Sequence, residues 1–583
     1  MNGSVKANTL MPLVFVAAAA VPFVTQSYGL AFSISLLSAF ILAQSWDWLD
    51  GKAGYTNLGH FAFFGVGAYA FAILSSKGVA IYWGIAAGAL AAMITALVLS
   101  FPLFRLRGNY FAFATLALLP LFEILAFNLT DITKGADGIP LSLPRQINLL
   151  YGLLLGGALA AVGVSFWLDR SRFGFALKAI RNDEQVAETS GIRIFPMKCA
   201  VFMLGSAFAG FAGAIQAWYL GYIDPPTVFG LDVALIPIAM ALFGGSGLIW
   251  GPLVGVLILG TVHDLLLTHL PVLQTTAYGL LVLLIGRFLP GGLLRTKLLK
   301  KVPFLASLAQ EHHDFAPSFS GDLGATPLFS PNARTEDASL VLDVQGVVMR
   351  FGGNAAVNDV SLQIKPGEVI GLVGPNGSGK TTLFNCISKV YEPTSGSIVL
   401  SGQSLASKRR DEVAHLGIGR TYQNPRPFGD LTVIENIAIA LMFRGRDPLH
   451  HKQALVEAGR FAEFAGIGDK LSVRADTLSL QDKKVLEFAR ALASAPTLLL
   501  VDEVASGLTP TEVHRFIALL RAARDQYGVT IIWVEHIFWA LAEIVDRIVV
   551  LESGTKLMEG SIEEAVNNQR VQEAYFGSKG EAA

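Results

Sequence analysis

Residues 374–381 read Gly-Pro-Asn-Gly-Ser-Gly-Lys-Thr, and this stretch decides the fold of the second half of the chain. It fits the pattern G-x-x-x-x-G-K-[ST], in which backbone N–H groups wrap phosphate, the lysine reaches the terminal phosphate oxygens and the hydroxyl binds Mg²⁺. The apolar run EVIGLV precedes it and the run TTLFNCI, which favours a helix, follows it. A glycine-rich turn that matched by chance would not require that strand and helix. The stretch therefore predicts a phosphate-binding loop in a parallel α/β domain.

Two acids follow a second apolar run. Residues 498–503 read LLLVDE, which places Asp502 and Glu503 at the carboxyl end of a buried strand. An acid at this point can hold Mg²⁺, and its neighbour can orient or deprotonate the attacking water. We assign Asp502 to the metal and Glu503 to the catalytic base. Two acids that only cap a strand are the alternative.

With these two motifs in place, essentially all of residues 340–577 resembles the nucleotide-binding domain of an ABC transporter. The resemblance implies that Gln423, in RTYQNPRPF, contacts Mg²⁺ and water, that His536 contacts the γ-phosphate, and that Phe351 stacks on adenine. It implies ATP and Mg²⁺ as cofactors. The implied catalytic residues are Gln423, Glu503 and His536, the metal ligands are Thr381, Gln423 and Asp502, and the nucleotide contacts are Phe351, Gly374, Pro375, Asn376, Gly377, Ser378, Gly379, Lys380, Thr381 and Thr382.

One motif departs from the family. The family signature is LSGGQ or a close variant, and it contacts the γ-phosphate of ATP bound by the opposing subunit, whereas residues 478–482 here read LSLQD. Ser479 is kept, but Gln481 brings a side chain to a place where backbone approaches phosphate, and Asp482 adds negative charge. We expect an impaired half-site. A local rearrangement that tolerates the change is the alternative.

The first half of the chain has the composition of a membrane protein. Residues 1–300 carry 29 charged side chains and the remaining 283 carry 60, while the whole chain is 52% hydrophobic with a mean hydropathy of +0.52. Since a span needs about 20 apolar residues, we predict about ten spans. They are roughly 9–27, 29–46, 60–76, 80–101, 110–128, 149–168, 199–222, 230–248, 251–267 and 273–290.

The fold class is therefore a polytopic α-helical membrane domain joined to an α/β P-loop ABC ATPase domain. Basic residues cluster in the loop 169–198, at Arg105 and Arg107, and after the last span, and ten spans with an internal N-terminus put all three clusters in the cytoplasm. Residues 302–338 lack hydrophobic periodicity and are rich in Pro, Ser and Gly, which is typical of a flexible linker. The predicted domains are a permease at 1–301, the linker at 302–338 and the ATPase at 339–583.

The membrane half resembles the LivM-type permeases of branched-chain amino-acid importers. The resemblance rests on GYTNLGHFAFFGVGAY at 54–69, YFAFATLALLPLFEIL, TKGADGIP, and the stretch from RFGFALKAIRNDE to ETSGI at 172–192. The last stretch resembles the importer coupling loop, in which Glu188 and Gly191 are our site residues; a purely topological role for its basic charge is the alternative. RVQEAYFG and FGGNAAVNDVSL resemble the LivG type of ATPase. The chain thus resembles a LivM-type permease fused to a LivG-type ATPase.

Two glycine-rich segments, GHFAFFGVGAY and GGSGLIWGPLVGVLILG, occupy comparable positions in the two halves of the membrane domain. Such pairs flank a pathway near the bilayer midplane in transporters built from repeats, or they serve simple helix packing. His60, Glu123, Asp232 and Asp264 are polar groups in apolar context, which are costly unless paired or hydrated. We interpret each of them as structural or interfacial.

Composition excludes several classes of protein. The net charge of −1 argues against nucleic-acid binding through a basic surface. The two cysteines, Cys199 and Cys386, lie in different halves and build neither a disulfide framework nor a zinc site.

The resemblance implies an ATP-driven importer subunit of the bacterial inner membrane, with its ATPase domain in the cytoplasm, for branched-chain or other hydrophobic amino acids. Urea, amides or another small amino-acid-like solute remain alternatives, as do an exporter and a membrane-tethered ATPase that transports nothing. The implied partners are an external substrate-binding protein, a second permease of the LivH type and a second ATPase of the LivF type. The altered signature favours this heteromer over a homodimer.

Overall fold

The computed structural model describes residues 14–25, 27–269, 274–289, 291–296, 328–329 and 340–576. The chain divides into two compact units. The N-terminal unit comprises Met1–Arg181 and Phe195–His313, and the C-terminal unit comprises Asn182–Ile194 and Asp314–Ala583. Residues 182–194, which belong to the predicted coupling loop, thus group with the second unit; we call them the docking segment.

The first 313 residues are almost entirely helical where they are described. Their helices are α1 (Val14–Val24), α2 (Ser27–Ala53), α3 (His60–Ser76), α4 (Ile81–Leu103), α5 (Asn109–Leu116), α6 (Leu118–Asn128), α7 (Thr130–Thr133), α8 (Ile147–Arg170), α9 (Arg172–Asn182), α10 (Glu184–Thr189), α11 (Ile194–Leu220), α12 (Pro225–Phe229), α13 (Leu231–Gly244), α14 (Gly251–His269) and α15 (Gln274–Phe288). Two short strands, β1 (Ile139–Pro140) and β2 (Tyr222–Ile223), pair antiparallel.

Within the described residues, seven helices are long and apolar enough to cross a membrane, taking α5 with α6 and α12 with α13. The predicted polytopic helical class is confirmed, and the predicted count of about ten spans is approximate. The predicted span 60–76 is α3, which has 17 residues, and α15 has 15. The first predicted span begins outside the described residues, and the remainder of it is the short helix α1.

Glycines allow close helix contacts in the N-terminal unit. A Cβ on Gly67 of α3 would lie 2.2 Å from the carbonyl oxygen of Gly210 on α11, and a Cβ on Gly88 of α4 would lie 2.8 Å from the Gly67 oxygen. Backbones that approach this closely exclude any larger residue. This part of the first glycine-rich segment therefore serves helix packing.

A buried polar cluster joins α2, α8 and the turn between α13 and α14. The Lys52 ammonium pairs with Asp169 and donates to the carbonyl of Gly247 at 2.8 Å. Asp47 accepts from the Ser246 hydroxyl at 2.7 Å and from the Gly247 N–H at 2.8 Å. Since charges inside an apolar unit are costly unless paired, this cluster fixes how the three elements meet.

The C-terminal unit contains two sheets. A six-stranded sheet has the order β12-β11-β5-β10-β9-β8, all parallel except β12, and an antiparallel sheet has the order β4-β3-β6-β7. The strands are β3 (Leu342–Phe351), β4 (Asn354–Ile364), β5 (Val369–Val373), β6 (Ser395–Leu400), β7 (Gln403–Ser404), β8 (Ile418–Arg420), β9 (Leu498–Asp502), β10 (Thr530–Val534), β11 (Arg547–Glu552) and β12 (Thr555–Gly560). The central strands β5, β9 and β10 are buried at every position, which explains why they read as continuous apolar runs.

The helices of this unit after the docking segment are α16 (Lys380–Ile387), α17 (Arg410–His415), α18 (Val433–Phe443), α19 (His451–Phe464), α20 (Leu480–Ala493), α21 (Pro510–Tyr527), α22 (Phe538–Ala542), α23 (Ile562–Asn567) and α24 (Gln569–Phe576). Helix α18 is apolar and fully buried, so it is a core helix of the soluble fold despite its hydrophobicity. The predicted α/β class of the second half is confirmed.

Most of the predicted linker 302–338 lies outside the described residues, as do the basic residues at 297, 300 and 301. Its two described residues, Leu328 and Phe329, are buried. The Phe329 ring stacks on Tyr527 with centroids 4.7 Å apart and lies parallel to Phe461 at 6.4 Å. The linker therefore makes apolar contacts with α19 and α21 at this point.

Candidate active site

The phosphate-binding loop leaves the end of β5 and enters α16. Gly374 has φ 151° and Gly379 has φ 100°, and a Cβ on either would lie within 2.3 Å of a backbone oxygen, of Leu551 and Ala356 respectively. Only glycine fits these two positions. Lys380 begins α16, and its ammonium donates to the carbonyls of Gly374 and Pro375 at 2.7 and 2.9 Å, so it lies inside the loop.

The remaining predicted contacts of the loop follow its backbone. Ser378 is buried, while Asn376 and Gly377 are exposed at its tip. Thr381 is exposed and Thr382 half-buried on the first turn of α16. The loop thus presents backbone N–H groups and a hydroxyl at a helix N-terminus, an arrangement that binds phosphate.

Asp502 ends β9 and is 2% exposed. Burial raises the pKa of its carboxyl to about 6, although Arg420 counters this. Its Oδ2 lies 3.7 Å from the Arg420 guanidinium, and its Oδ1 is buried without a hydrogen-bond partner among the described residues. A buried carboxylate oxygen with no donor is a suitable ligand for a hard cation.

Glu503 lies between the other two predicted catalytic side chains. His536 Nε2 donates to its Oε1 at 2.9 Å, and Gln423 Nε2 donates to its Oε2 at 2.5 Å. Its backbone has φ 43°, a left-handed conformation that costs energy for a residue with a side chain. Asp502, Glu503, Gln423 and His536 meet because they follow neighbouring parallel strands at one edge of the sheet.

Phe351 ends β3 and is 47% exposed. Its ring meets Tyr391 edge to face, with centroids 5.2 Å apart. Since Phe351 is exposed and its ring packs against Tyr391, it is able to stack on a base.

Both halves of the chain match known families. Residues 28–286 match the permease component of the branched-chain amino acid transport system, and residues 357–506 match the ABC transporter family. The high-affinity branched-chain amino acid transport ATP-binding protein LivG of Escherichia coli K12 is 38% identical over 249 residues, which are 41% of this chain and 98% of LivG. BraF of Pseudomonas aeruginosa, with the same description, is 34% identical over 249 residues, 41% of this chain and 98% of BraF. Among solved structures, the ADP conformation of the ATP-binding cassette MJ1267 is 27% identical, covers 41% of this chain and 99% of its own, and has a TM-score of 0.37.

The chain belongs to the branched-chain amino-acid ABC transporter family. This transporter chain is a multi-pass membrane protein that joins a permease domain to an ATP-binding domain. Its hydrolysis of ATP is coupled to transport. The predicted fusion of a Liv-type permease with a LivG-like ATPase is confirmed.

The docking segment of the transporter chain lies between α17 and the loop that carries Gln423. Glu188 Oε2 accepts from Arg410 at 2.9 Å, and the hydroxyls of Thr189 and Tyr422 are 2.9 Å apart. Gly191 has φ 87°, and a Cβ there would lie 2.4 Å from the Phe443 carbonyl oxygen. Glu188 and Gly191 are therefore both contact points with the ATPase domain, one through charge and one through close backbone approach.

Further ion pairs surround this contact. Asp183 lies 3.5 Å from the Arg426 guanidinium, and Arg193 lies 3.3 Å from Asp411. Asp183 also caps α10 by accepting from the N–H groups of Gln185 and Val186. The Asp183 carboxylate thus caps α10, the helix of the docking segment, and also contacts the ATPase domain.

Sequence reasoning missed two residues of α20 that hold the Gln423 loop. The Glu487 carboxylate accepts the backbone N–H of Tyr422 at 3.2 Å and that of Arg426, and Arg490 donates to the Arg426 carbonyl at 3.2 Å. Both side chains are buried. The signal was available, because an acid and a base three residues apart on the apolar face of a helix need buried partners.

Sequence reasoning also missed Arg420 and Glu535. Arg420 donates to Asn385 of α16 and to Ser388, the residue that follows α16, both at 2.7 Å, beside Asp502. Glu535 accepts the backbone N–H of Ala505 at 2.6 Å and thereby fixes the loop after Glu503. Arg420 ends a buried strand, and Glu535 directly precedes His536 at the end of another, so strand-end position was the signal in both cases.

The polar groups of the altered signature bond to one another. Ser479 caps α20, accepting the N–H of Asp482 at 3.2 Å, and its hydroxyl donates to the Asp482 carboxylate at 2.7 Å. Lys470 pairs with Asp482 at 2.7 Å. Burial would raise the pKa of Asp482, but the bonds from Lys470 and Ser479 outweigh it and lower that pKa. The repulsion expected from Asp482 is therefore largely neutralised by Lys470, a correction to the sequence analysis.

Proposed function

We propose that this chain is one half of an importer that carries amino acids with hydrophobic side chains into the cytoplasm. Its permease lies at 1–301 in a bacterial inner membrane and its ATPase domain, joined through the linker 302–338, lies in the cytoplasm. The names of LivG and BraF assign those proteins to branched-chain amino acid transport, which supports this substrate class. The basic loops on the predicted inner side support the orientation.

The observation that carries the proposal is the contact between the docking segment and the Gln423 loop. Thr189 bonds to Tyr422, whose neighbour Gln423 bonds to Glu503. A displacement of the docking segment therefore shifts the side chain that orients the proposed base. This short path connects the docking segment, whose ends continue into α9 and α11, to the proposed catalytic side chains.

The nucleotide site works through positioning and charge. Lys380 and the N–H groups of 374–382 hold the phosphates, while Phe351 stacks on adenine. Glu503 accepts the proton of the attacking water, and Gln423 orients one of its carboxylate oxygens. His536 bonds to the other oxygen in this structure. When nucleotide is bound, His536 contacts the γ-phosphate instead.

Thr381, Gln423 and Asp502 fit a magnesium ion. Asp502 offers a buried oxygen that lacks a donor, and Mg²⁺ is commonly held by one carboxylate together with substrate phosphates. Among the described residues there is no cluster of three His, Cys, Asp or Glu side chains placed to hold a metal, so the phosphates would complete the site. When bound, the ion neutralises charge on the β- and γ-phosphates.

The complete importer is a heteromer. An ABC importer needs two permeases and two ATPases, and a homodimer of this chain would place Leu480, Gln481 and Asp482 opposite both phosphate loops. A second ATPase of the LivF type would present an intact signature to Lys380 and Glu503 instead. We therefore include a LivF-type ATPase, a LivH-type permease and an external substrate-binding protein as partners.

The test is transport by the complete complex in liposomes that enclose ATP. Radiolabelled leucine, supplied outside on the binding protein, should accumulate inside, and the Glu503→Gln variant should abolish accumulation. Urea and acetamide serve as competing solutes. If either solute accumulates faster than leucine, the proposed substrate class is wrong. ATP-dependent release of enclosed leucine would identify an exporter. An ATPase rate that ignores both binding protein and solute would identify a tethered ATPase without transport.

A further inference from the structure

A cavity of about 350 Å³ lies within the N-terminal unit, walled by α2, α3, α11, α13 and α14. Small-molecule sites in proteins begin at about 300 Å³, so this volume suits a ligand of the size of one amino acid. Two other cavities of this unit are lined almost entirely by apolar groups, whereas this one combines apolar and polar walls.

Part of the lining of the cavity is apolar. Phe61 and Phe64 of α3 are buried and stacked with centroids 4.4 Å apart, and the buried Met240 of α13 also lines the cavity. Aromatic rings and a flexible thioether make an adaptable surface for aliphatic groups. This part of the lining excludes charge and accepts a hydrocarbon side chain.

Other residues of the lining are polar, among them Asp264 of α14, Gln216 of α11 and Ser38 of α2. The Tyr28 hydroxyl donates to Asp264 Oδ2 at 2.5 Å. Because a carboxylate has two oxygens and about four acceptor sites, that single bond leaves capacity for an ammonium group. An acid in a spanning helix is costly and therefore points to a function.

The direction of α11 indicates on which side of the membrane the cavity lies. Helix α11 starts directly after the docking segment, and Gln216 lies 21 residues beyond Phe195, about 30 Å along the helix. Phe32 and Ser35, near the start of α2, line the same cavity as Gln216 and Leu220, near the end of α11. The cavity therefore lies at the C-terminal end of α11, about 30 Å along the helix from its start.

Both glycine-rich segments reach this cavity. The first contributes Phe61 and Phe64, and the second contributes Gly260, where a Cβ would lie 2.4 Å from Leu36 Cδ2. A larger residue at Gly260 would push α14 from α2 and change the cavity. Comparable segments of two repeat halves that meet at one cavity are typical of a transporter substrate site.

We propose that this cavity is the solute site on the outer half of the permease, and that it binds a zwitterionic α-amino acid with an aliphatic side chain. Asp264 accepts the ammonium, Gln216 and Ser38 donate to the carboxylate, and the side chain lies against Phe61, Phe64 and Met240. Urea and amides lack the ammonium cation that Asp264 matches, and urea also lacks a hydrocarbon group. The assignment rests on the proposed import function.

The test is equilibrium binding of radiolabelled leucine to the purified complete complex without binding protein, together with leucine uptake in liposomes. Asp264→Asn removes a charged hydrogen bond and should raise the Kd about tenfold or more, with basal ATPase activity unchanged. Met240→Phe reduces the space for the side chain and should weaken leucine about tenfold relative to alanine. Glu123→Gln is the matched control, since it neutralises an acid of α6 that does not line the cavity, and its Kd should equal that of the wild type.

The outcomes distinguish a failure of the proposed site from a failure of the proposed import function. If the wild-type complex takes up leucine but Asp264→Asn and Met240→Phe bind it within twofold of the wild type, the site proposal is wrong and the function stands. If Asp264→Asn does not assemble, the leucine-to-alanine ratio of Met240→Phe decides. Wild-type complex that takes up no leucine overturns the function itself.

Discussion

Two regions of the ATPase domain, the phosphate-binding end and the signature end, differ in what their polar groups contact. At the phosphate-binding end, Lys380, Glu503, His536 and Gln423 converge on one edge of the sheet. At the signature end, the Ser479 hydroxyl bonds to Asp482. The polar groups of the phosphate-binding end lie together where a ligand can bind, whereas those of the signature end bond to each other. We infer that this chain contributes one working site and one mainly structural half-site.

The largest expected effect is at the phosphate loop. Lys380→Ala removes the ammonium that lies within the loop, and we expect ATP hydrolysis by the complete complex to fall about a thousandfold. Binding of a fluorescent ATP analogue to this chain should be lost as well. Lys556→Ala is the control, because that lysine pairs with Glu559 on the edge strand β12 and lies outside the loop. Near-normal hydrolysis by Lys380→Ala would remove the distinction between the two ends.

Glu503→Gln should separate binding from turnover. The amide keeps the size of the side chain but accepts no proton, so we expect turnover to fall about a hundredfold or more while ATP remains bound. The measurement is steady-state hydrolysis beside retention of nucleotide on the purified complex. Substantial hydrolysis by this variant would assign the base to another group.

The sequence predicted where the phosphate-binding loop and the acids at the strand end lie, while the roles of these residues stay predictions, and the reason is physical. A loop that wraps phosphate needs glycine at fixed positions such as Gly374 and Gly379, and catalytic acids need a strand end such as that of Asp502, so both leave local patterns. The signature end was predicted only as altered. The pairing of Lys470 with Asp482 joins residues twelve positions apart, and the binding of Glu487 to backbone N–H groups leaves no motif at Tyr422 or Arg426.

The membrane domain shows the same limit. Length and apolar content predicted its class and most of its helices, but the number of spans only approximately, because apolar helices such as α3, with 17 residues, lie at the lower limit of spanning length. The pairing of Asp264 with Tyr28 across 236 positions was beyond pattern reasoning, which interpreted Asp264 as structural or interfacial.

The docking segment tests how the working end is controlled. Arg410→Glu places two acids together at Glu188, and since exposed ion pairs contribute up to about 1 kcal/mol, we expect about a fivefold loss of ATPase stimulation by loaded binding protein. Basal hydrolysis should change little. The double variant Arg410→Glu with Glu188→Arg should recover most of the stimulation.

Arg460→Glu is a matched control for this exchange. Arg460 pairs with Glu457 at 2.8 Å, close to the 2.9 Å of Arg410 and Glu188, and the side chains of both pairs are half-buried. Both members of the Arg460 pair belong to α19. This variant should leave stimulation unchanged. An equal loss in both variants, without rescue by the double exchange, would mean that the contact at Glu188 does not transmit the signal.

The smallest expected effect is at the signature end. Ser479→Arg removes the cap of α20 and the bond to Asp482, which should cost about 1 kcal/mol of stability and lower the Tm by a few degrees. Turnover by the complete heteromer should nevertheless stay within about twofold, because this serine is engaged by Asp482 and does not serve the working site. The corresponding serine-to-arginine change in the partner ATPase should abolish hydrolysis, since that signature faces Lys380 and Glu503. If the two substitutions instead reduce turnover equally, both signatures act on ATP, and the contrast between the two ends of this chain is wrong.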